Sequence, residues 1–131
     1  MDQTNQTQHK RILLVEDDNA LASVYEERLK DEGFGVRRVN NGEDALSVAL
    51  SYHPDLVLLD VMMPKVDGFD VLDILRNTPG TANLKIIMIT ALSQQSDKDR
   101  AMALHADDYL VKSQVVIADV INRVRYHLGL Q

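Results

Sequence analysis

Two short, continuous apolar runs constrain the fold of this chain most strongly. Residues 56–59 read LVLL and residues 86–89 read IIMI, with no polar residue inside either run. Runs that are apolar at every position suit strands buried on both faces, which are typical of parallel sheets covered by helices. The sequence therefore predicts the interior strands of a parallel sheet, and Asp60 directly follows one of them.

Strand and helix patterns alternate five times along the chain. The first helix is predicted to place four residues on one face, namely Leu21, Val24, Tyr25 and Leu29, and the second helix has four apolar residues, namely Ala45, Leu46, Ala49 and Leu50. The alternation predicts an α/β fold: a doubly wound, five-stranded parallel sheet with five helices. The predicted strands lie in 11–18, 34–40, 55–60, 85–91 and 107–112, and the predicted helices cover 20–33, 41–53, 67–77, 96–106 and 114–129.

Composition restricts the class of protein. The 131 residues suit one domain, which we place at 10–131, preceded by a flexible N-terminal leader at 1–9. The net charge of −6 argues against direct contact with nucleic acid, and the lack of cysteine excludes disulfides and thiolate sites. With no signal peptide or membrane-spanning run, we expect a cytoplasmic protein without membrane contact.

Chemically distinctive residues follow four of the predicted strands. Glu16 and Asp17 lie at the end of the first, Asp60 ends the third, Thr90 lies at the end of the fourth, and Lys112 ends the fifth. In doubly wound folds the site lies at the carboxyl ends of the strands. Clustered carboxylates suit a hard cation such as Mg²⁺, and a carboxylate can attack phosphorus to form an aspartyl phosphate. A lysine and a threonine hydroxyl could then stabilise the phosphoryl oxygens.

Each of these residues also has a simpler interpretation. Asp60 alone could cap a helix or lie in a loop, and the acidic residues 16–18 could cap the next helix. Thr90 could be an ordinary β-branched strand residue, and Lys112 a solvated strand end. The occurrence of the right residue types at four strand ends together favours a site.

Four segments resemble the response-regulator receiver domain, the phosphoacceptor of two-component signalling. They read ILLVEDD, DLVLLDVMMPKVDGFDVL, KIIMITA and DDYLVK, and the resemblance covers about residues 10–130. It implies the flavodoxin-like receiver fold and phosphorylation of Asp60. The segment from Met63 to Gly68 resembles the family's loop after the phosphoacceptor, where we expect Gly68 to supply unusual backbone conformations.

The resemblance also implies a metal site for Mg²⁺ or Mn²⁺. Asp17 would be a direct ligand, Glu16 would act mainly through water, and Asp60 would share the ion. The backbone carbonyl of Met62 would complete the ligands that the protein supplies.

A phosphoryl-binding and switching group is implied in the same way. Lys112 would pair with the phosphoryl group, and Thr90 would turn inward to donate a hydrogen bond to it. Ala91, which is small, would leave room for the group. Tyr109 would move in behind Thr90 as the second part of the switch.

The sequence departs from the family at two positions. Lys112 is followed by Ser113 instead of the family's usual proline, so the peptide bond is either trans or a costly non-proline cis bond. His105-Ala106 replaces the usual Gly-Ala, which implies strain at His105 if the backbone there has positive φ.

The function implied is a phosphorylation-dependent signalling switch, and we do not expect an enzyme beyond self-catalysed phosphorylation and dephosphorylation. A sensor histidine kinase or phosphotransfer protein would donate the phosphoryl group. The fourth helix, fifth strand and fifth helix would then change for output to a downstream protein or a further domain. A homodimer through this face could pair Arg123 and Arg125 with Asp107 and Asp108.

Three other classes stay open at this point. A pseudo-receiver would bind partners without accepting phosphate. A metal-dependent phosphohydrolase would need an acid two residues after its nucleophile, where this chain has Met62. A flavin-binding domain would need a phosphate loop after the first strand, where this chain has acidic residues.

Overall fold

The computed structural model describes residues 10–130 and forms one five-stranded parallel sheet with helices on both faces. The expected leader at 1–9 and Gln131 lie outside the described residues. The α/β prediction, with five parallel strands and five helices, is confirmed. The strands are β1 Arg11–Val15, β2 Gly35–Val39, β3 Leu56–Leu59, β4 Lys85–Thr90 and β5 Asp108–Val111, and the helices are α1 Asn19–Asp31, α2 Gly42–Tyr52, α3 Gly68–Arg76, α4 Gln95–Ala103 and α5 Ile117–His127.

The strand order β2-β1-β3-β4-β5 explains the apolar runs. All four residues of β3 are fully buried, because β1 and β4 flank it and helices cover both faces. The strand order reverses direction after β1, which lies between β2 and β3. A reversal of this kind opens a crevice at the carboxyl edge of the sheet.

The core has two halves because successive strand side chains point to opposite faces. On one face Leu13, Val57 and Met88 pack against α2, α3 and α4. On the other face Leu14 and Leu58 pack against α1 and α5. Each interior strand therefore supplies both halves, which fixes its register and the position of the residue that follows it.

The ends of α1 show why the chain turns where it does. The Asp18 side chain accepts a hydrogen bond from the Leu21 N–H at 2.9 Å and caps the helix. At the other end Gly33 has φ 97°, and the Phe34 N–H donates to the Leu29 carbonyl at 3.2 Å. This is a Schellman ending, in which Gly33 stops the helix.

Two details of the predicted helices were wrong. Val24 is 52% exposed, although Tyr25 and Leu29, which were predicted to share its face, are buried. The last helix begins at Ile117, not at residue 114, since a 3₁₀ turn at Lys112–Gln114 precedes it.

Among residues 10–130, no helix combines the length and apolar character that crossing a bilayer requires.

Candidate functional site

Three carboxylates meet at the carboxyl edge of the sheet. Glu16 and Asp17 follow β1 and Asp60 follows β3, and these strands are neighbours. One oxygen from each residue lies within 4.8 Å of the others. Glu16 and Asp60 are buried, whereas Asp17 is exposed and can meet solvent or a partner. The structure therefore brings together the acidic residues that the sequence singled out.

Asp60 is held from three sides and is only 3% exposed. Its N–H donates to the Val15 carbonyl at 3.1 Å, which continues the ladder between β1 and β3 by one residue. Its Oδ1 accepts from the Met62 N–H at 3.1 Å, and its Oδ2 accepts from Lys112 Nζ at 3.0 Å. Both carboxylate oxygens thus have a defined direction before any ligand arrives.

Lys112 reaches this cluster from the end of β5. Its ammonium lies 3.0 Å from Asp60 Oδ2 and 2.8 Å from Glu16 Oε1. All peptide bonds between the described residues are trans, including Lys112-Ser113. The replacement of proline by serine therefore does not prevent Lys112 from contacting Asp60.

The electrostatics of the cluster favour an added positive charge. Burial, together with the nearby Asp60 charge, raises the pKa of the Glu16 carboxyl to about 7, although Lys112 and the Asp18 N–H oppose the shift. Burial lowers the pKa of Lys112, but its contacts with Glu16 and Asp60 outweigh this and raise it. Three carboxylates face one ammonium group, so negative charge remains uncompensated.

A hard divalent cation fits these donors. The three side chains offer carboxylate oxygens, which Mg²⁺ and Mn²⁺ prefer. Glu16 Oε1 is buried and lies 2.8 Å from Lys112 Nζ. The single ammonium also contacts Asp60, so a cation, or water that a cation holds, would add to the positive charge that these carboxylates meet.

Gly68 shapes the loop after Asp60, for a reason that differs from the one expected. Its φ is not positive, so the expectation of an unusual backbone conformation was wrong. A Cβ at this position would lie 2.3 Å from the Asp60 carbonyl oxygen and 2.6 Å from Val61 Cα. Glycine is required because the first turn of α3 packs against the backbone of the acceptor loop.

Thr90 and Tyr109 are linked through Leu92. Thr90 is fully buried at the end of β4, and its Oγ1 accepts a hydrogen bond from the Leu92 N–H at 3.2 Å. The Tyr109 hydroxyl donates to the Leu92 carbonyl at 2.8 Å. Burial, together with the Asp97 charge, raises the pKa of Tyr109 to about 12, so the hydroxyl stays a donor. Sequence reasoning missed Leu92, because both contacts use its backbone and carry no side-chain signal.

Ala91 and Met62 lie at the exposed rim of the site. Ala91 follows Thr90 and is exposed. Met62 has an exposed side chain, and its N–H is engaged with Asp60. The expected roles of the Ala91 side chain and the Met62 carbonyl stay predictions.

Arg38 is a second residue that sequence reasoning missed. It lies on the edge strand β2, where a charged residue is usually interpreted as a solvated side chain. Its guanidinium instead donates to the Glu16 carbonyl, from Nε at 2.9 Å and from Nη2 at 2.7 Å. The sequence carries no local signal for this contact, because it depends on how two neighbouring strands end.

The other departure from the family pattern, His105, has positive φ, as the sequence implied. Its φ is 70°, a region that costs energy for a residue with a Cβ. Its carbonyl accepts a hydrogen bond from Arg76 Nε at 2.9 Å, and Arg76 Nη2 also pairs with Asp107 at 2.8 Å. The contacts of Arg76 therefore hold the strained turn between α4 and β5.

Some of the charges expected to meet across a dimer have partners within one chain. Arg123 Nη1 lies 2.5 Å from Asp108 Oδ2, and His127 Nε2 lies 2.8 Å from the same oxygen. Asp107 pairs with Arg76, and Arg125 Nη1 lies 3.9 Å from Glu32 Oε1. The expected homodimer through this face stays a prediction.

Comparison with known proteins shows which family the chain resembles. Residues 12–125 match the family model described as the response regulator receiver domain. The chain is 38% identical over 115 residues to the DNA-binding dual master transcriptional regulator RpaA of Synechocystis sp., covering 88% of this chain and 47% of that protein. It is 47% identical over 102 residues to the transcriptional regulatory protein CpxR of Escherichia coli K12, covering 78% of this chain and 42% of that protein.

Solved structures give the same assignment. The BeF3-activated N-terminal receiver domain of Klebsiella pneumoniae RstA superposes with a TM-score of 0.84 at 29% identity, over 91% of this chain and 98% of that one. A CheY-like receiver domain protein from Methanospirillum hungatei JF-1 superposes with a TM-score of 0.85 at 25% identity, over 92% and 94% of the two chains. The chain therefore belongs to the response regulator receiver domain family of two-component systems.

Proposed function

We propose that this chain is a phosphorylation-dependent switch that accepts a phosphoryl group on Asp60. The observation that carries the proposal is the meeting of Glu16, Asp17, Asp60 and Lys112 at one edge of the sheet. A buried carboxylate with both oxygens oriented, next to an ammonium group, is a group prepared for nucleophilic attack.

The donor in this proposal is a phosphohistidine on a sensor histidine kinase or phosphotransfer protein. An Asp60 oxygen forms a bond to phosphorus, the bond between phosphorus and the histidine nitrogen breaks, and the imidazole leaves with its electron pair. Lys112, which already contacts Asp60 Oδ2 at 3.0 Å, stays beside the phosphoryl oxygens and balances their charge.

Glu16, Asp17 and Asp60 would hold Mg²⁺ or Mn²⁺, together with the Met62 carbonyl. When bound, this ion supplies positive charge that draws the phosphoryl oxygens toward Asp60. Without an added cation, burial and the nearby Asp60 charge hold the pKa of Glu16 at about 7, so its charged form is disfavoured.

The signal would leave the site through Thr90 and Tyr109. The Thr90 hydroxyl accepts a hydrogen bond from the Leu92 N–H, and its own proton is available for donation to a phosphoryl oxygen. Tyr109 holds the same residue, so the loop before α4 responds to both side chains. Phosphorylation would thereby favour a second arrangement of α4, β5 and α5, which a downstream protein or further domain reads.

In this proposal the chain signals and does not turn over a substrate, apart from self-catalysed gain and loss of its own phosphoryl group. Met62 follows Asp60 by two residues and has no acid–base chemistry, which disfavours a phosphohydrolase. The remaining competitor is a pseudo-receiver, which would have the same fold and bind partners without accepting phosphate.

Intact-mass spectrometry tests the proposal most directly. The wild-type chain is mixed with Mg²⁺ and a small acyl phosphate, and separately with a phosphohistidine-bearing phosphotransfer protein. We expect a mass gain of one phosphoryl group, which disappears in Asp60→Asn and when the metal is chelated.

The matched control is Asp70→Asn, which removes the same charge from an exposed position in the first turn of α3. This variant should gain the phosphoryl group as the wild type does. If neither donor modifies the wild type, and a phosphoryl-mimicking beryllium fluoride also fails to bind, the pseudo-receiver becomes the better description.

A further inference from the structure

Arg38 donates hydrogen bonds to the backbone beside the acidic cluster. It is half-buried on the edge strand β2, and two of its nitrogens donate to the same oxygen, the carbonyl of Glu16. A guanidinium presents its donors in a fixed planar fork, so two bonds to one oxygen restrain that oxygen more than a single flexible donor would.

The contact occurs where the β1–β2 ladder ends. Val15 is in register with Val39, and the Glu16 N–H still donates to the Val39 carbonyl at 3.1 Å. The chain then turns away at Asn41, which caps α2. The Glu16 carbonyl is therefore left at the end of the ladder, and the Arg38 side chain supplies the donors that a longer strand would supply.

The position of this carbonyl matters because it belongs to the peptide unit that joins Glu16 to Asp17. A peptide unit is planar, so fixing its oxygen fixes the direction in which Asp17 leaves Glu16. Glu16 is further fixed by burial, but Asp17 is exposed and has no such restraint from packing. The Arg38 fork thus orients the most exposed carboxylate of the cluster.

We propose that Arg38 is a positioning residue that holds the Glu16-Asp17 peptide and so sets where the acidic pair presents its carboxylates to a divalent cation. The inference rests on the proposed function, since that function includes the metal. Arg38 itself touches neither the cation nor the phosphoryl group in this assignment.

A purely electrostatic role for Arg38 would have the opposite sign. A positive guanidinium near a cation site repels the cation, so removing it would strengthen metal binding. Positioning predicts weaker binding after the same change. The direction of the effect therefore separates the two explanations.

The experiment compares Mg²⁺ dissociation constants of the unphosphorylated protein, measured by titration of backbone amide NMR signals. Arg38→Met keeps much of the apolar stem and removes the fork, and Arg38→Lys keeps the charge and removes the fork. Residues that orient metal ligands typically change affinity by about 10-fold or more, and we expect an increase of about that size in the dissociation constant of Arg38→Met. We expect Arg38→Lys to weaken binding as well.

The control is Arg37→Met on the same strand. Arg37 is exposed and stacks on the Tyr52 ring at 4.8 Å, so this change removes the same charge without touching Glu16. It should bind Mg²⁺ like the wild type. Urea unfolding of all variants without metal shows whether each is folded, and Arg38→Lys decides the question if Arg38→Met does not fold.

Two results would overturn the inference, and they differ from each other. Wild-type Mg²⁺ binding with unchanged or tighter binding in the Arg38 variants would remove the positioning role but leave the proposed function intact. A folded wild type that binds no Mg²⁺ would overturn the proposed function and the role of Arg38 with it.

Discussion

Gly68 shows how a missing side chain can shape the acceptor loop. Its N–H donates to the Val61 carbonyl at 2.8 Å, which draws the start of α3 against the two residues that leave β3. The atoms that a Cβ would meet, the Asp60 carbonyl oxygen and Val61 Cα, are backbone atoms and cannot rotate away. A side chain at position 68 would therefore collide with the backbone that places Asp60.

We expect Gly68→Ala to destabilise the fold by about 3 kcal/mol, since overpacking against a rigid backbone typically costs this much. Urea unfolding measures the change. Gly80→Ala is the matched control, because its Cβ would meet only the end of the Leu50 side chain at 3.4 Å. Equal unfolding midpoints in the two variants would contradict the steric explanation.

At the scale of elements, Asp108 joins the last strand to the last helix. It lies at the start of β5 and contacts Arg123 and His127 of α5. Burial raises the pKa of this carboxyl, but hydrogen bonds from His127, Arg123 and the Tyr109 N–H outweigh burial and lower it. The charged form of Asp108 therefore helps to hold α5 on the sheet.

A carboxyl with a lowered pKa in the folded state stabilises the protein above its unfolded pKa of about 3.9, and this stability is lost as the pH falls through the folded pKa. We expect Asp108→Asn to cost about 2 kcal/mol at pH 7, a typical value for hydrogen bonds to a charged group. The difference from the wild type should shrink below about pH 4.

Urea unfolding between pH 7 and pH 3 checks this dependence on pH. Glu27→Gln, an exposed position on α1, removes one negative charge from a surface position and serves as the control. A difference between Asp108→Asn and the wild type that stays constant over this range would show that the carboxylate charge is not responsible.

At the scale of the whole molecule, the metal ligands come from separate strands, so only the folded chain offers them together. A ligand that binds only the folded state stabilises it. If the cluster binds Mg²⁺ as proposed, at about 100 times the dissociation constant the gain is about 2.7 kcal/mol. We expect thermal unfolding to shift upward with Mg²⁺ and to return when the metal is chelated.

Asp17→Asn should lose most of this shift, because it removes the exposed carboxylate of the cluster. Asp18→Asn is its control: it removes the same charge one residue later, and asparagine caps a helix about as well as aspartate. A full Mg²⁺ shift in Asp17→Asn would show that the ion binds elsewhere.

The predictable parts of this structure follow from the spacing of apolar residues along the chain and from the need to bury them. Continuous apolar runs have one stable location in an α/β protein, and parallel strands bring Asp60 and Lys112 to one edge whatever the loop details. The exposure of Val24 was harder to predict, because Val24 is adjacent to the buried Tyr25 and the apolar pattern assigns both residues to one face.

Other features escaped prediction because they depend on contacts between backbones. To predict the two hydrogen bonds from Arg38 to the Glu16 carbonyl, one must know that β2 ends one residue before it could pair with this carbonyl. The role of Leu92 uses only its N–H and carbonyl groups. The steric demand at Gly68 depends on an approach of α3 that no local pattern encodes.

The dependence of the cluster on β5 has a consequence for protein synthesis. Lys112 joins Asp60 only after the last strand has paired with β4. A nascent chain that still has this strand inside the ribosome carries Asp60 but lacks its ammonium partner. Under the proposed function, such a chain does not accept a phosphoryl group from its kinase. Only receivers whose sheet is complete then transmit the signal.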